Sequence, residues 1–147
     1  MCAAFEWCRR TPGWLQLGAM QNPGNLEVYE YAHRLAVTTY RHTVSYPSAE
    51  RFGLTSQMRR GAVSIVSTIS EGCGRRSNKE LLQYLYMANG AANELATQLR
   101  IATDLGFGNP ESADQLRSDI ERVGKMLTRL ITFHRTQPAW RNKGGRP

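Results

Sequence analysis

The sequence predicts an all-α protein, an up-down-up-down antiparallel four-helix bundle with left-handed packing. Apolar residues recur at alternating steps of four and three through two long segments, and glycine and proline residues separate four segments of similar length. No segment shows the period-two alternation of a β-strand. An average step of about 3.5 residues gives a helix a seam that packs at a small crossing angle. Short connections between such helices favour antiparallel neighbours.

The chain of 147 residues is long enough for one domain with a substantial core. We expect the four-helix domain over residues 25–137, a leader over residues 1–24 and a basic, flexible tail over residues 138–147. The leader lacks helical periodicity and the continuous apolar core of a signal peptide. We interpret Met1–Ala19 as a start-site over-extension or a disordered arm, with Met20 as a plausible natural start.

The first two helices are predicted from their end signals. Leu26–Tyr46 follows the favourable N-cap Asn25, and Pro47 cannot continue a helix. The second helix, Leu54–Glu71, includes a β-branched run, but its surroundings favour a helix over a strand. The apolar positions expected to face the core are Leu26, Tyr29, Ala36, Val37, Tyr40 and Val44 in the first helix, and Leu54, Met58, Ala62, Ile65 and Ile69 in the second.

The turn before the third helix carries two glycines and a cap. Gly72 and Gly74 are expected to supply positive φ angles at the helix end and in the turn. Ser77 and Glu80 form a predicted capping box for a helix over Asn78–Leu105. Its predicted seam consists of Leu81, Leu85, Ala88, Ala92, Leu95, Leu99 and Ala102.

The fourth helix begins with Asn109 as N-cap and Pro110 at its first position, where no N–H donor is needed, and ends before Pro138. Its predicted seam consists of Ala113, Leu116, Ile120, Val123, Leu127, Leu130 and His134. The last two helices also carry apolar residues beside their seams: Tyr84, Met87, Ala91, Ile101 and Leu105, then Met126, Leu130 and Phe133. This extra width predicts either a broad core or a subunit interface.

The formal charge of +7 and a pI near 9.8 favour an acidic partner, which is a nucleic acid, an anionic membrane surface or an acidic protein. The three cysteines are an odd number without a CxxC pair, which indicates a reducing cytoplasm. No apolar run is long enough to cross a bilayer. Of the three kinds of acidic partner we expect a nucleic acid or an acidic protein, and no membrane.

Six cationic residues are the candidate nucleic-acid-binding residues: Arg51, Arg59, Arg60, Arg75, Arg76 and Lys79. Arg75 and Arg76 lie in a short interhelical turn, and cations beside a helix N-terminus are mildly unfavourable unless an anion is also present. Arg59-Arg60 is predicted at the opposite end of the second helix from Arg75-Arg76, so the two pairs do not form one continuous patch on a monomer. A ring of subunits would nevertheless gather each pair into its own circle of positive charge. Tyr84 and Tyr86 are the nearest aromatic residues for base stacking. The alternative is a solvated, charged turn.

Four polar residues beside the seams form a candidate structural network: Glu71, Glu94, Gln57 and Gln98. We expect them to pair with arginines and so to fix the register of the bundle. The three histidines have no cysteine or carboxylate at the spacing of a metal site or catalytic triad, and His134 continues a seam. We therefore expect no enzyme activity, no catalytic residue, no metal and no cofactor.

A distinctive pattern joins the second and third helices. It reads Arg59-Arg60, then Ile69-Ser70-Glu71-Gly72, then Gly74-Arg75-Arg76-Ser77, and later Glu94-Leu95-Ala96-Thr97-Gln98-Leu99. Over about Leu26 to Phe133 the chain resembles the bacterial proteins encoded by intervening sequences of 23S ribosomal RNA genes. The resemblance implies a four-helix bundle assembled as a ring, with a pentamer expected. The family is similar to accessory proteins of diversity-generating retroelements, which bind nucleic acid and a reverse transcriptase.

The sequence and the resemblance together predict a non-enzymatic, ring-forming bundle that binds RNA, DNA or another polyanion through arginines. Two alternatives stay open. One is an adaptor whose arginines dock an acidic protein, such as a ribosomal protein or a polymerase. The other is a mobile-element product without a cellular role.

Overall fold

The structure, a computed structural model, describes residues 23–75 and 77–136, with side chains from residue 27 onward. Within these ranges there are four α-helices, α1 (Pro23–His42), α2 (Leu54–Cys73), α3 (Asn78–Asp104) and α4 (Pro110–Thr136), and no β-strand. Two short 3-10 helices, Thr43–Ser45 and Ser48–Glu50, connect α1 to α2. The predicted tail and most of the predicted leader lie outside the described residues.

The helices pack as a square in which each contacts two neighbours. Helix α1 packs against α2 and α4, and α3 packs against the same two helices, so α1 and α3 lie on one diagonal. The predicted all-α four-helix bundle is confirmed.

The predicted seams of α3 and α4 are buried at every position, including His134. In α2 the seam is also buried except at Leu54, which is half-buried. Steps of three and four therefore identified the core-facing stripe of these helices correctly.

The predicted core face of α1 was wrong at three of its six positions, while Tyr29 and Ala36 are half-buried against the core as expected. Val37, Tyr40 and Val44 are exposed, and the core instead receives Val28, Ala32, Leu35 and Thr39, each fully buried. Thr39 is tolerated in the core because its hydroxyl donates to the Leu35 carbonyl at 2.8 Å, which removes the cost of an unpaired polar group.

The helix bounds also differ from prediction. Helix α1 begins at Pro23, three residues earlier, because a proline in the first turn lacks only an N–H that has no partner there. It ends at His42, where the Thr43 hydroxyl donates to the Thr39 and Tyr40 carbonyls and the chain tightens into a 3-10 turn. Helix α2 runs two residues beyond Glu71, to Cys73, and α3 ends one residue early, at Asp104.

The expected positive φ at Gly72 and Gly74 was wrong. Gly72 is helical and Gly74 has a φ of −83°, whereas the positive φ angles among the described residues belong to Gly106 (74°) and Gly108 (78°), between α3 and α4. Gly72 serves packing instead: a Cβ atom there would lie 2.9 Å from the Tyr84 Cβ atom, closer than side chains approach.

Two of the three predicted N-caps, Ser77 and Asn109, are confirmed, whereas Asn25 was wrong as an N-cap because α1 already begins at Pro23 and Asn25 lies within its first turn. The Ser77 hydroxyl oxygen accepts from the Glu80 N–H at 3.3 Å, while the Glu80 carboxylate accepts the Ser77 hydroxyl proton at 2.8 Å rather than a backbone N–H. The Asn109 Oδ1 atom accepts from the N–H groups of Glu111 and Ser112 at 2.9 and 3.1 Å. Asn78, at the start of α3, bonds to His134, near the end of α4, so the starts of α3 and α4 lie at opposite ends of the bundle.

Candidate functional site

Arg75 is the most distinctive side chain of the α2–α3 turn. It is half-buried, and its guanidinium carbon lies 4.3 Å from the centroid of the Tyr84 ring. The ring reaches this position because Gly72 has no side chain, which lets Tyr84 pack directly on the end of α2. The Arg75 Nε atom is buried without a hydrogen-bond partner, and no carboxylate of the described residues forms an ion pair with it. The sequence placed Tyr84 near this turn but did not predict the stacking.

Two further cations lie at the same end of the bundle. Lys79 is exposed in the first turn of α3, and Arg135 is exposed in the last turn of α4. Hydrogen bonds between Asn78 and His134 hold these two helix ends together. Arg76 lies outside the described residues. Sequence reasoning missed Arg135, although its place in the last turn of α4 and the antiparallel topology together were a usable signal.

The other predicted cations lie towards the opposite end. Arg59 is half-buried, its Nε–H donates to the Thr43 hydroxyl at 2.8 Å, and its guanidinium carbon lies 4.9 Å from the Tyr40 ring centroid. Arg51 is exposed, 5.6 Å from the centroid of the Phe52 ring. The described cations of the predicted set therefore form two separate groups, one at each end of α2.

Three of the four predicted polar-network residues lie at one groove between α2 and α3. This open groove of about 430 Å³ is lined by Gln57, Arg60, Gly61, Ser64, Ala91 and Glu94. Gln98 lies beneath it, 6% exposed, and its Nε2–H donates to a Glu94 carboxylate oxygen at 3.0 Å. The Gln98 Oε1 atom is buried without a partner and is the atom that a Cβ on Gly61 would meet, at 3.8 Å. Glu71 is exposed, away from this groove.

The expected ion pairs between these carboxylates and the arginines do not form within the described residues. The ion pairs there are Arg117 with Asp114 and Lys125 with Glu121, both along the exposed face of α4. Glu94 and Arg60 share the groove without an ion pair.

An arginine pair on the α1–α4 face was also missed. The guanidinium carbons of Arg34 and Arg122 lie 4.2 and 4.0 Å from the centroid of the same ring, that of Tyr31. Both arginines are exposed and neither has an ion pair among the described residues. The i, i+3 spacing of Tyr31 and Arg34 was a signal in the sequence, but the Arg122 contact needs the tertiary structure.

Two of the three histidines, His42 and His134, are buried and hydrogen-bonded within the fold. The His134 Nδ1 atom lies 3.0 Å from Asn78 Oδ1, and the His42 Nδ1 atom lies 2.6 Å from the Ser112 hydroxyl oxygen. Burial lowers the pKa of both imidazoles. Within residues 23–75 and 77–136, no group of three or more histidine, cysteine or acidic side chains is placed to hold a metal ion. None of the helices described here has the length and apolar character that a membrane span requires.

Comparisons with known proteins agree with this fold. A protein of unknown function from the S23 ribosomal protein family of Bacteroides thetaiotaomicron VPI-5482 has a crystal structure similar to this chain, with a TM-score of 0.67 and 21% sequence identity. The similarity covers 74% of this chain and 98% of that protein. No curated protein matches the sequence. The family model described as 23S rRNA-intervening sequence protein matches residues 24–129, and the chain therefore belongs to this family.

Proposed function

We propose that this chain is a non-enzymatic, ring-forming four-helix bundle of the cytoplasm that binds RNA or another polyanion through arginines. The observation that carries the proposal is the state of Arg75. Its guanidinium is stacked on Tyr84 and lacks a carboxylate partner among the described residues. Such a guanidinium, restrained by the ring and without an ion pair, is available to bind an anionic ligand.

The stacking favours a phosphate ligand for two reasons. Contact with an aromatic ring restrains the guanidinium without using its N–H donors, so less conformational entropy is lost when a ligand binds. A guanidinium also presents paired donors that match two oxygens of a phosphate. The unpartnered Nε–H of Arg75 adds a donor that the fold itself does not satisfy.

Other cations extend this surface. Arg76 follows directly in the chain, and Lys79 and Arg135 are exposed at the same end of the bundle. The sequence beyond Thr136, which ends α4 at this end, continues with Arg141, Lys143 and Arg146. The nearby carboxylates of Glu71 and Glu80 limit the net charge, so we expect a few phosphate contacts per subunit. Such contacts position a backbone without reading its sequence.

A ring strengthens weak sites of this kind. Each subunit would contribute one copy of the surface formed by Arg75, Arg76, Lys79 and Arg135, the Arg75 surface. Once one copy has bound a polyanion, the contacts of the other copies with the same molecule become intramolecular. Membership of the 23S rRNA-intervening sequence protein family makes RNA the first ligand to test.

The test is a binding titration of the full chain against labelled single-stranded RNA, duplex RNA, DNA and heparin at salt concentrations from about 50 to 200 mM. We expect binding to each polyanion that weakens steeply with salt. Absence of binding at about 50 mM salt would overturn the proposal and favour the adaptor, with the α2–α3 turn as the first surface on which to map an acidic protein.

A further inference from the structure

Two exposed apolar stripes lie on the diagonal helices α1 and α3. The α1 stripe consists of Val37, Tyr40 and Val44, which are 37%, 46% and 76% exposed. The α3 stripe consists of Met87, Ile101 and Leu105, which are 55%, 47% and 59% exposed. Val37 and Tyr40, three residues apart, lie on one side of α1, and Met87 and Ile101, fourteen residues apart, lie on one side of α3. Val44 and Leu105 follow just beyond the ends of these two helices. Because α1 and α3 do not pack on each other, the stripes face different sides of the monomer.

The α3 stripe also contains a carboxylate without an ion pair in the described part of the chain and, beside it, a buried acceptor without a donor. Glu94, midway between Met87 and Ile101, is exposed and has no ion pair within the described residues. Beneath it, the Gln98 Oε1 atom is buried without a hydrogen-bond donor. A buried amide oxygen without a donor is uncommon in a complete structure, so a donor from outside the monomer is expected here.

A cation and hydrogen-bond donors that could pair with the α3 stripe lie at the α1 stripe. Arg59 lies against Tyr40 and, beyond its Nε bond to Thr43, has terminal N–H groups and no carboxylate partner among the described residues. Tyr40 itself carries a hydroxyl on a ring that is 46% exposed. One stripe thus has an unpaired anion and an unsatisfied acceptor, and the other has an unpaired cation and a hydroxyl donor.

The two stripes also end at the same level of the bundle. The His42–Ser112 hydrogen bond of 2.6 Å and the Tyr46–Phe107 ring contact, with centroids 5.7 Å apart, hold the end of α1 beside the α3–α4 connection. Copies related by rotation about an axis along the bundle keep equal levels. Repeating one contact between two different faces closes a ring when the rotation angle permits.

We propose that the α3 stripe of one copy docks on the α1 stripe of the next, with Glu94 paired to Arg59 of the neighbouring copy. The neighbour's Tyr40 hydroxyl or Arg59 guanidinium supplies the donor for Gln98. This contact rests on the ring of the proposed function and names the faces that build it. It also supplies one arginine–carboxylate pair of the kind that the sequence predicts and that does not form among the described residues of one chain.

The decisive experiment uses two variants that each damage one face. Ile101→Glu leaves the α1 stripe intact, and Tyr40→Glu leaves the α3 stripe intact. Light scattering should find each variant alone as a monomer of 16.6 kDa, whereas the wild type is a larger oligomer. An equal mixture should form a dimer through the single remaining pair of intact faces. Phe133→Glu on α4, at a residue 42% exposed, is the matched control and should keep the wild-type size.

A charge exchange tests the polar pairing. Glu94→Arg and Arg59→Glu should each raise the dissociation constant of the oligomer at least tenfold, and the double exchange should restore most of the loss. If Ile101→Glu or Tyr40→Glu fails to fold, Leu105→Glu and Val44→Glu replace them, since both side chains are more exposed.

The outcomes separate this contact from the rest of the proposal. A monomeric wild type would overturn both the contact and the ring. A wild-type oligomer whose stripe variants keep their full size would overturn the contact alone. Monomeric variants that do not pair when mixed would overturn the docking of α3 on α1.

Discussion

Asn78 and His134 bond to each other twice across one end of the bundle, although 56 residues separate them in the chain. The Asn78 Nδ2–H donates to the His134 carbonyl oxygen at 2.7 Å, and Asn78 Oδ1 lies 3.0 Å from His134 Nδ1. An amide oxygen only accepts, so Nδ1 carries a proton, and in the neutral ring that burial favours by lowering the pKa of His134, Nε2 is the unprotonated nitrogen. Nε2 is buried without a partner. This pair joins the start of α3, beside the Arg75 surface, to the end of α4.

Stability should fall in mild acid because of His134 and His42. Burial lowers the pKa of each imidazole below the ordinary value of 6.5. Just below pH 6.5 the unfolded chain therefore binds more protons at these two side chains than the folded chain does. The free energy of unfolding should be constant from about pH 8 to 7 and decrease as the pH falls below about 6.5. Urea unfolding at pH 8, 7, 6 and 5 measures this. An increase in stability between pH 7 and 5 would contradict the neutral, buried imidazoles.

Asn78→Ala should cost about 1–3 kcal/mol, since it leaves the His134 carbonyl and Nδ1–H without partners in a buried site. Chemical denaturation at pH 7.5 measures the loss. Asn93→Ala is the matched control, because Asn93 is exposed and its side chain makes no hydrogen bond to the described residues, while its backbone carbonyl accepts from the Thr97 hydroxyl. Its effect should stay within about 0.5 kcal/mol. Equal losses in the two variants would show that the pair contributes nothing specific.

Gly72→Ala should destabilise the protein by about 1–3 kcal/mol despite the higher helix propensity of alanine. The added Cβ atom would lie 2.9 Å from the Tyr84 Cβ atom and 3.4 Å from Leu81 Cδ1, so α2 and α3 must separate. Gly90→Ala is the control, since Gly90 is helical and nothing lies within 4 Å of its added Cβ atom. That change should stabilise the protein by about 0.5–1 kcal/mol. Thermal unfolding of both variants gives the two signs, and a stabilising Gly72→Ala would refute the close contact.

Leu95→Ala and Leu127→Ala should each cost about 2–5 kcal/mol, because each side chain is fully buried and its removal leaves a cavity. Both leucines belong to the seams of α3 and α4 that periodicity predicts. Denaturant midpoints at a constant m-value measure the loss. A loss below about 0.5 kcal/mol at either position would mean that the surrounding side chains collapse into the space.

The seams of α3 and α4 could be predicted because their apolar stripes are long and regular, and regular periodicity reports directly which side of a helix is buried. Helix α1 could not be predicted in the same way. Its outward side carries Val37, Tyr40 and Val44, which are larger and more apolar than much of its buried side. The buried Thr39 is acceptable only through a local hydrogen bond that the sequence pattern does not reveal. An exposed stripe for another subunit would produce the same misleading pattern.

The candidate site was predicted by residue but not by arrangement. Arg75 and Lys79 follow from the turn and cap signals, because these are local in sequence. The contact of Arg75 with Tyr84 depends on Gly72 acting as a packing glycine, and a glycine at a helix end fits a positive-φ turn equally well in sequence. The shared contact of Arg34 and Arg122 with Tyr31 joins two helices from opposite ends of the chain. Such contacts follow from tertiary packing alone.

Arg75 and Arg76 form the centre of the proposed polyanion surface. Changing both to alanine should weaken binding to RNA and heparin. It should also make the slope of log affinity against log salt shallower by about one to two per subunit engaged, because fewer phosphates are contacted and fewer counterions are released on binding. The fold should survive, because the Ser77 cap of α3 is untouched. Arg117→Ala is the surface control, since that exposed arginine already pairs with Asp114.

Arg59→Ala separates stability from binding in the same assay. It removes the bond to the Thr43 hydroxyl and the contact with Tyr40, so it should cost about 1 kcal/mol of folding free energy. Polyanion binding is then measured on folded Arg59→Ala protein in the same assembly state as the wild type. The loss of affinity should be smaller than in the Arg75/Arg76 double variant, because the Arg59 Nε–H already bonds to Thr43 and Arg59 lies at the other end of α2. Wild-type affinity and salt slope in the Arg75/Arg76 double variant would remove this turn from the binding surface. A larger loss in Arg59→Ala would instead assign phosphate binding to the opposite end of the bundle.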